Sequence, residues 1–127
     1  MIAVDTSVWI DFFRGRSPIV EKLFVLLNQD EVALPVSVKI EILSGARKSE
    51  VHRLDRVLSA LPILYPTEGL WRRTEQWVTA GAAAGQRFGV GDLLVAALAI
   101  ENGCTLWSLD GDFKRMANLH MVTLVVV

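Results

Sequence analysis

The chain has little with which to build a covalent or soft-metal framework. Its one cysteine, Cys104, excludes an internal disulfide, and the two histidines, His52 and His120, stand in no ligand spacing, which removes zinc chemistry from consideration. Long apolar runs are missing. The longest, Leu93 to Ile100, is far below the ~20 residues that span a bilayer, and Asp5 and Asp11 stand where a secretory signal would carry its apolar centre. A cytoplasmic location with no membrane part is expected. A charge excess is missing too: 13 Lys and Arg against 14 Asp and Glu give a net charge of −1 and a pI near 6.1, so overall charge alone will not hold duplex nucleic acid. There is no G-x-S-x-G and no H-E-x-x-H, and Gly85, Gly89 and Gly91 lack the Lys-Ser/Thr of a phosphate-binding loop. Cys104 reads as a small core residue, and Trp9, Trp71, Trp77 and Trp107 read as core or interface residues.

Apolar residues and carboxylates are what the chain does have. With 127 residues and 52% hydrophobic content, a single domain over residues 1–127 with one core is expected. Four acidic positions lie beside apolar runs: Asp5 in IAVDTS, Glu41 in VKIEIL, Asp92 in GVGDLLVAA, and Asp110, with Asp112, in LWSLDGDF. An ionised group at the end of a buried strand or the start of a buried helix needs its desolvation offset, and one divalent cation does this for several carboxylates at once. Oxygen-only ligation favours Mg²⁺ or Mn²⁺.

The periodicity supplies the frame. Strands are expected at Ile2 to Val4, Val32 to Leu34, Thr105 to Leu109 and Val122 to Val127, with a short extended piece between Pro62 and Pro66. Helices are expected from Val8 to Phe13, closed by Gly15; after the Ser17-Pro18 cap, ending near Asn28 to Asp30; from Pro35 to Gly45, with Glu41 inside; over Ser49 to Ala60; and over Glu68 to about Gly85. Asp92 opens another helix that ends at Asn102-Gly103, and a helical turn or short helix covers Lys114 to Asn118. Strands alternating with helices imply a parallel sheet covered by helices, in which ligands bind at the carboxyl ends of the strands. Asp5 and Asp110 belong at such ends. Taken singly, each acid also has a structural reading: Asp5 and Asp92 as helix caps, Glu41 as an exposed helix residue, Asp110-Gly111 as a hairpin turn. All four together favour a site.

The blocks IAVDTSVWIDFFRG, PVSVKIEILSGA and GVGDLLVAALAIENGCTLWSLDGDF, in this order, resemble the PIN-domain family of metal-dependent ribonucleases, and more narrowly the VapC toxins of bacterial toxin–antitoxin pairs. Lys48 to Ala80 matches only in length and helical character. The resemblance implies a three-layer α/β/α sandwich with a central, mainly parallel sheet. It implies Asp5, Glu41, Asp92 and Asp110 as catalytic, metal-site residues, and Ser7 and Ser108 as hydroxyls supporting them, Ser108 standing where threonine is commoner. Asp112 either assists or caps the following turn. Mg²⁺, with Mn²⁺ able to substitute, would serve phosphodiester hydrolysis that leaves 5′-phosphate and 3′-hydroxyl ends. The basic pairs nearest the acidic blocks, Arg14/Arg16 and Lys114/Arg115, are available to RNA phosphates. The implied partners are RNA, a VapB-type antitoxin and a second copy of the chain, with Trp71, Trp77 and Val78 supplying the dimer surface. An antitoxin helix would find apolar candidates in Trp9, Ile10, Phe12, Phe13, Ile40 and Leu43.

Three other readings share parts of this pattern. A phosphorylation receiver domain needs a paired acidic motif after the first strand, where Asp5 is single. A haloacid-dehalogenase phosphatase would share the D-x-D of LWSLDGDF, but too little chain follows Asp110. A non-catalytic PIN-like binding module differs only in lacking metal-dependent cleavage.

Overall fold

The computed structural model describes residues 1–127. Four short strands, β1 (Ile2–Val4), β2 (Val32–Pro35), β3 (Ile63–Leu64) and β4 (Thr105–Trp107), form one sheet in the order β3-β2-β1-β4. Every pairing is parallel, so the sheet expected to be mainly parallel is wholly so. Parallel neighbours cannot be joined by hairpins, and each connection here is a pair of helices. They are α1 (Thr6–Phe13) with α2 (Ile19–Asn28), α3 (Val36–Gly45) with α4 (Val51–Ser59), and α5 (Glu68–Ala83) with α6 (Val90–Glu101). A last helix, α7 (Asp112–Asn118), follows β4. The result is the expected α/β/α architecture.

Register explains the site's position. Val4 lies opposite Trp107 and Ala3 opposite both Ala33 and Leu106, so β1 is an inner strand whose carboxyl end is level with that of β4. The inner strands read as continuous apolar runs because helices bury both of their faces: Ala3, Val4, Ala33 and Leu34 are wholly buried. In α6 the buried set Leu93, Val95, Ala96, Ala97, Leu98 and Ala99 covers nearly the whole circumference, which marks a helix sunk in the core. Trp9, Leu23, Leu34, Leu106 and Phe113 join that core, each worth about 1.5–3 kcal/mol of burial.

α6 and α7 each start two residues earlier than expected, and two strand expectations fail for physical reasons. The strand expected over Thr105 to Leu109 stops at Trp107, because Leu109 and Asp110 give their N–H groups to serine hydroxyls rather than to a neighbouring strand. The last strand expected over Val122 to Val127 does not form. Leu106 alone donates to Thr123 (2.9 Å) and accepts from Val125 (3.0 Å), an isolated parallel bridge at Leu124, and Val126 is 98% exposed. With β4 three residues long, the ladder has nowhere to continue. Gly15 does close α1, in the left-handed conformation (φ 69°) that suits glycine. No helix is long and apolar enough to cross a membrane.

Candidate active site

The acids reach the carboxyl edge of the sheet by separate routes. Asp5 is the first residue after β1, and its N–H donates to Trp107 O at 3.0 Å, which fixes it beside Ser108. It occupies the N-cap position of α1, yet its carboxylate makes no capping bond. Asp5 Oδ2 instead accepts from Ser7 Oγ (2.9 Å) and Ser108 Oγ (2.8 Å). Those hydroxyls in turn accept from the Leu109 and Asp110 N–H groups, each at 3.0 Å. Each serine therefore spends its one proton on Asp5 and its lone pairs on the loop after β4. Asp5 is 7% exposed, and two charge-directed hydrogen bonds offset part of its desolvation.

Asp110 Oδ1 accepts from the Asp112 N–H at 2.9 Å, an Asx-type turn that leads the chain into α7 rather than into a hairpin. Asp112 thereby becomes the first residue of α7, its carboxylate beside that of Asp110. Asp92 lies in the first turn of α6, where the helix dipole favours an anion. Glu41 projects from α3, and its Oε2 accepts from Thr6 Oγ1 at 2.9 Å. A methyl group on Gly91 would lie 3.6 Å from Glu41 Oε1, so Glu41 lies against the start of α6, beside Asp92.

Convergence follows from these placements. One oxygen each from Asp92, Asp110 and Asp112 lie within 4.8 Å of one another. Burial, and then the charges of Asp110, Asp5, Asp112 and Glu41, push the Asp92 carboxyl up from 3.8 to about 6. The close cluster thus consists of Asp92, Asp110 and Asp112, while Asp5 and Glu41 lie outside it but near enough for their charges to raise Asp92. None of Asp5, Glu41, Asp92 and Asp110 forms an ion pair. This all-oxygen donor set, in which only Asp112 has a basic partner, fits a hard divalent ion such as Mg²⁺ or Mn²⁺.

The basic residues fare differently from one another. Arg14 and Lys114 are exposed and unpaired, whereas Arg16 meets Asp11 at 3.3 Å. Arg115 is engaged: its guanidinium pairs with Asp112 Oδ1 at 2.7 Å, donates to Gln86 Oε1 and lies 5.0 Å from the centre of the Phe88 ring. Thr6, Gln86 and Phe88 were not singled out from sequence. Thr6 had a signal, a third polar residue directly after the first strand; the other two had none.

A groove of about 560 Å³ opens between α1, α3 and α4, with Thr6 and Glu41 at its site end and Ile10, Phe13, Arg14 and Leu54 among its walls. Of the apolar candidates for a partner helix, only Ile10 and Phe13 line it. Trp9 is core, Phe12 and Leu43 pack against the core, and Ile40 is exposed outside the groove.

Comparison with known proteins gives consistent findings. The family model described as PIN domain matches residues 2–119. Ribonuclease VapC11 of Mycobacterium tuberculosis and a VapC ribonuclease of Mycobacterium bovis are each 32% identical over 125 residues, 94% of this chain and 93% of theirs. Among solved structures, VapBC2 of Rickettsia felis, bound to a DNA fragment from its promoter, superposes with a TM-score of 0.78 at 24% identity, covering 98% of both chains.

Proposed function

The chain belongs to the PIN domain family, and from that premise we propose that it is an endoribonuclease that uses Mg²⁺ or Mn²⁺ and acts as the toxin of a VapBC-type toxin–antitoxin pair. The observation that carries this reading is the gathering of carboxylates from four distant stretches of chain around Asp92, with a single guanidinium, that of Arg115, among them. The ribonuclease relatives, matched over nearly their whole length, supply the substrate class.

In this reading Asp5, Glu41, Asp92 and Asp110 hold the ion, with Asp112 assisting. A divalent ion there would polarise the phosphodiester and favour in-line attack by water, so that 5′-phosphate and 3′-hydroxyl ends result. The protein's own part is positional. Ser7 and Ser108 leave Asp5 Oδ1 free while fixing Oδ2, Thr6 does the same for Glu41, and the Asx turn aims Asp110 and Asp112 together. Unstacked bases in loops and single strands are the parts of RNA a protein can reach, which makes them the expected targets.

The partner is a VapB-type antitoxin, since VapBC complexes share this fold. An antitoxin arginine among Asp5, Glu41 and Asp92 would compete with the ion. Expression of the chain alone should arrest bacterial growth, with rescue by the cognate antitoxin and by Asp5→Asn. Undiminished arrest by a folded Asp5→Asn protein would separate toxicity from this site and refute the reading.

A further inference from the structure

We propose that Arg115 is a positioning residue that braces the Asp112 carboxylate against the segment leading into α6, and so sets the placement of Asp112 relative to Asp92. The proposal rests on the reading that this acidic site holds a divalent ion. It assigns Arg115 to the protein's own architecture rather than to RNA phosphates.

The contacts define the brace. Arg115 and Asp112 are three residues apart on one face of α7, where their side chains meet, with Nη2 2.7 Å from Oδ1. The other terminal nitrogen, Nη1, donates to Gln86 Oε1, and the guanidinium faces the Phe88 ring at 5.0 Å. Both terminal nitrogens and one face of the fork are thus committed to protein partners.

Gln86 and Phe88 belong to the connection between α5 and α6, and Asp92 follows four residues after Phe88. That connection is itself anchored. The Gln86 N–H donates to Gly81 O at 2.8 Å, and a methyl group on Gly81 would stand 3.2 Å from Gln86 O and 3.4 Å from Phe88 Cδ2. The absence of a side chain at Gly81 lets the connection press onto α5, so Arg115 pushes against a fixed wall. It ties Asp112 to the segment that leads into Asp92.

Repulsion gives the brace its purpose. Three carboxylates with oxygens inside 4.8 Å repel one another when no cation separates them, and Asp112, half-buried at the start of a short helix, needs a partner to stay beside the other two. A guanidinium fork anchored at two further points holds it in place. Residues that hydrogen-bond to metal-binding carboxylates typically contribute a factor of about 10–100 in metal affinity. A lysine would keep the charge without the fork.

The test is Mn²⁺ binding to metal-stripped protein without RNA, followed by electron paramagnetic resonance of the free ion. Arg115→Gln and Arg115→Lys should each weaken Mn²⁺ binding about tenfold, and Gln86→Ala should do so to a smaller extent. Affinity for RNA in EDTA should be unchanged in all three. Full Mn²⁺ affinity in Arg115→Lys would reduce the role to bare charge and overturn the proposal. Unchanged Mn²⁺ affinity with weakened RNA binding would make Arg115 a phosphate contact instead. Should the Arg115 variants fail to fold, Gln86→Ala decides: full Mn²⁺ affinity there refutes the brace. Absence of Mn²⁺ binding by the unaltered protein would overturn the metal-site reading, and the brace with it.

Discussion

Ser108 donates its hydroxyl to Asp5 Oδ2 at 2.8 Å across 103 residues of sequence, joining the ends of two neighbouring strands. Ser108 Oγ itself accepts from the Asp110 N–H, so one hydroxyl sets the distance between two acids of the site. Ser108→Ala should therefore lower RNA cleavage about tenfold and cost roughly 1.5–3 kcal/mol of stability, the range for a hydrogen bond to a charged group. Ser108→Thr should keep both properties, because the hydroxyl remains. Cleavage rates and thermal melts of the two variants check this; a silent Ser108→Ala would remove the hydroxyl from the machinery.

Acidity should leave a signature in the metal-free protein. The folded-state value for Asp92, about 6, lies above its ordinary 3.8, so between these values the folded chain binds the extra proton. Stability must then fall as pH rises from about 4 to about 6, since ionisation adds a charge to a crowded acidic cluster. Asp92→Asn should flatten that decline and raise the melting temperature at pH 7. Metal affinity should run the other way, rising through the same window as the proton leaves. Melting temperatures from pH 4 to 7, with and without Mn²⁺, check both signs; a variant with the same slope as the unaltered protein would contradict them.

Much of this arrangement was legible in the chain. Each acid sat beside an apolar run, and that local pattern placed Asp5 at a strand end and Glu41 inside a helix, whereas Asp110 lies three residues beyond the end of β4. The pairing of β1 with β4 was not legible, because register between strands about a hundred residues apart is decided by packing and not by local periodicity. Asp5 looked like a helix cap from sequence; only the positions of Ser7 and Ser108 show its carboxylate turned away from that role. Arg115 was grouped with Lys114 by adjacency, yet its partner Gln86 lies 29 residues upstream. The C-terminal apolar run read as a strand because composition cannot report that its neighbour ends after three residues.

Association should involve α5. Trp77, also expected at that surface, packs against the core, whereas Trp71 is 47% and Val78 52% exposed, seven residues apart on one face of that helix. A homodimer burying these side chains is expected, and Val78→Asp should shift it towards monomer. Sedimentation equilibrium at micromolar concentrations measures both; a strictly monomeric mass for the unaltered chain, without antitoxin, would contradict the assembly.

The most direct test of the central claim, that the carboxylates around Asp92 form a metal-dependent ribonuclease site, is cleavage of a looped RNA by purified, EDTA-treated protein as Mg²⁺ or Mn²⁺ is restored. Cleavage should be absent in EDTA and return with either ion, leaving 5′-phosphate ends. Asp5→Asn and Asp92→Asn should each reduce it strongly while the protein stays folded by circular dichroism. Cleavage that persists in EDTA, or that survives unchanged in folded Asp5→Asn and Asp92→Asn proteins, would contradict it.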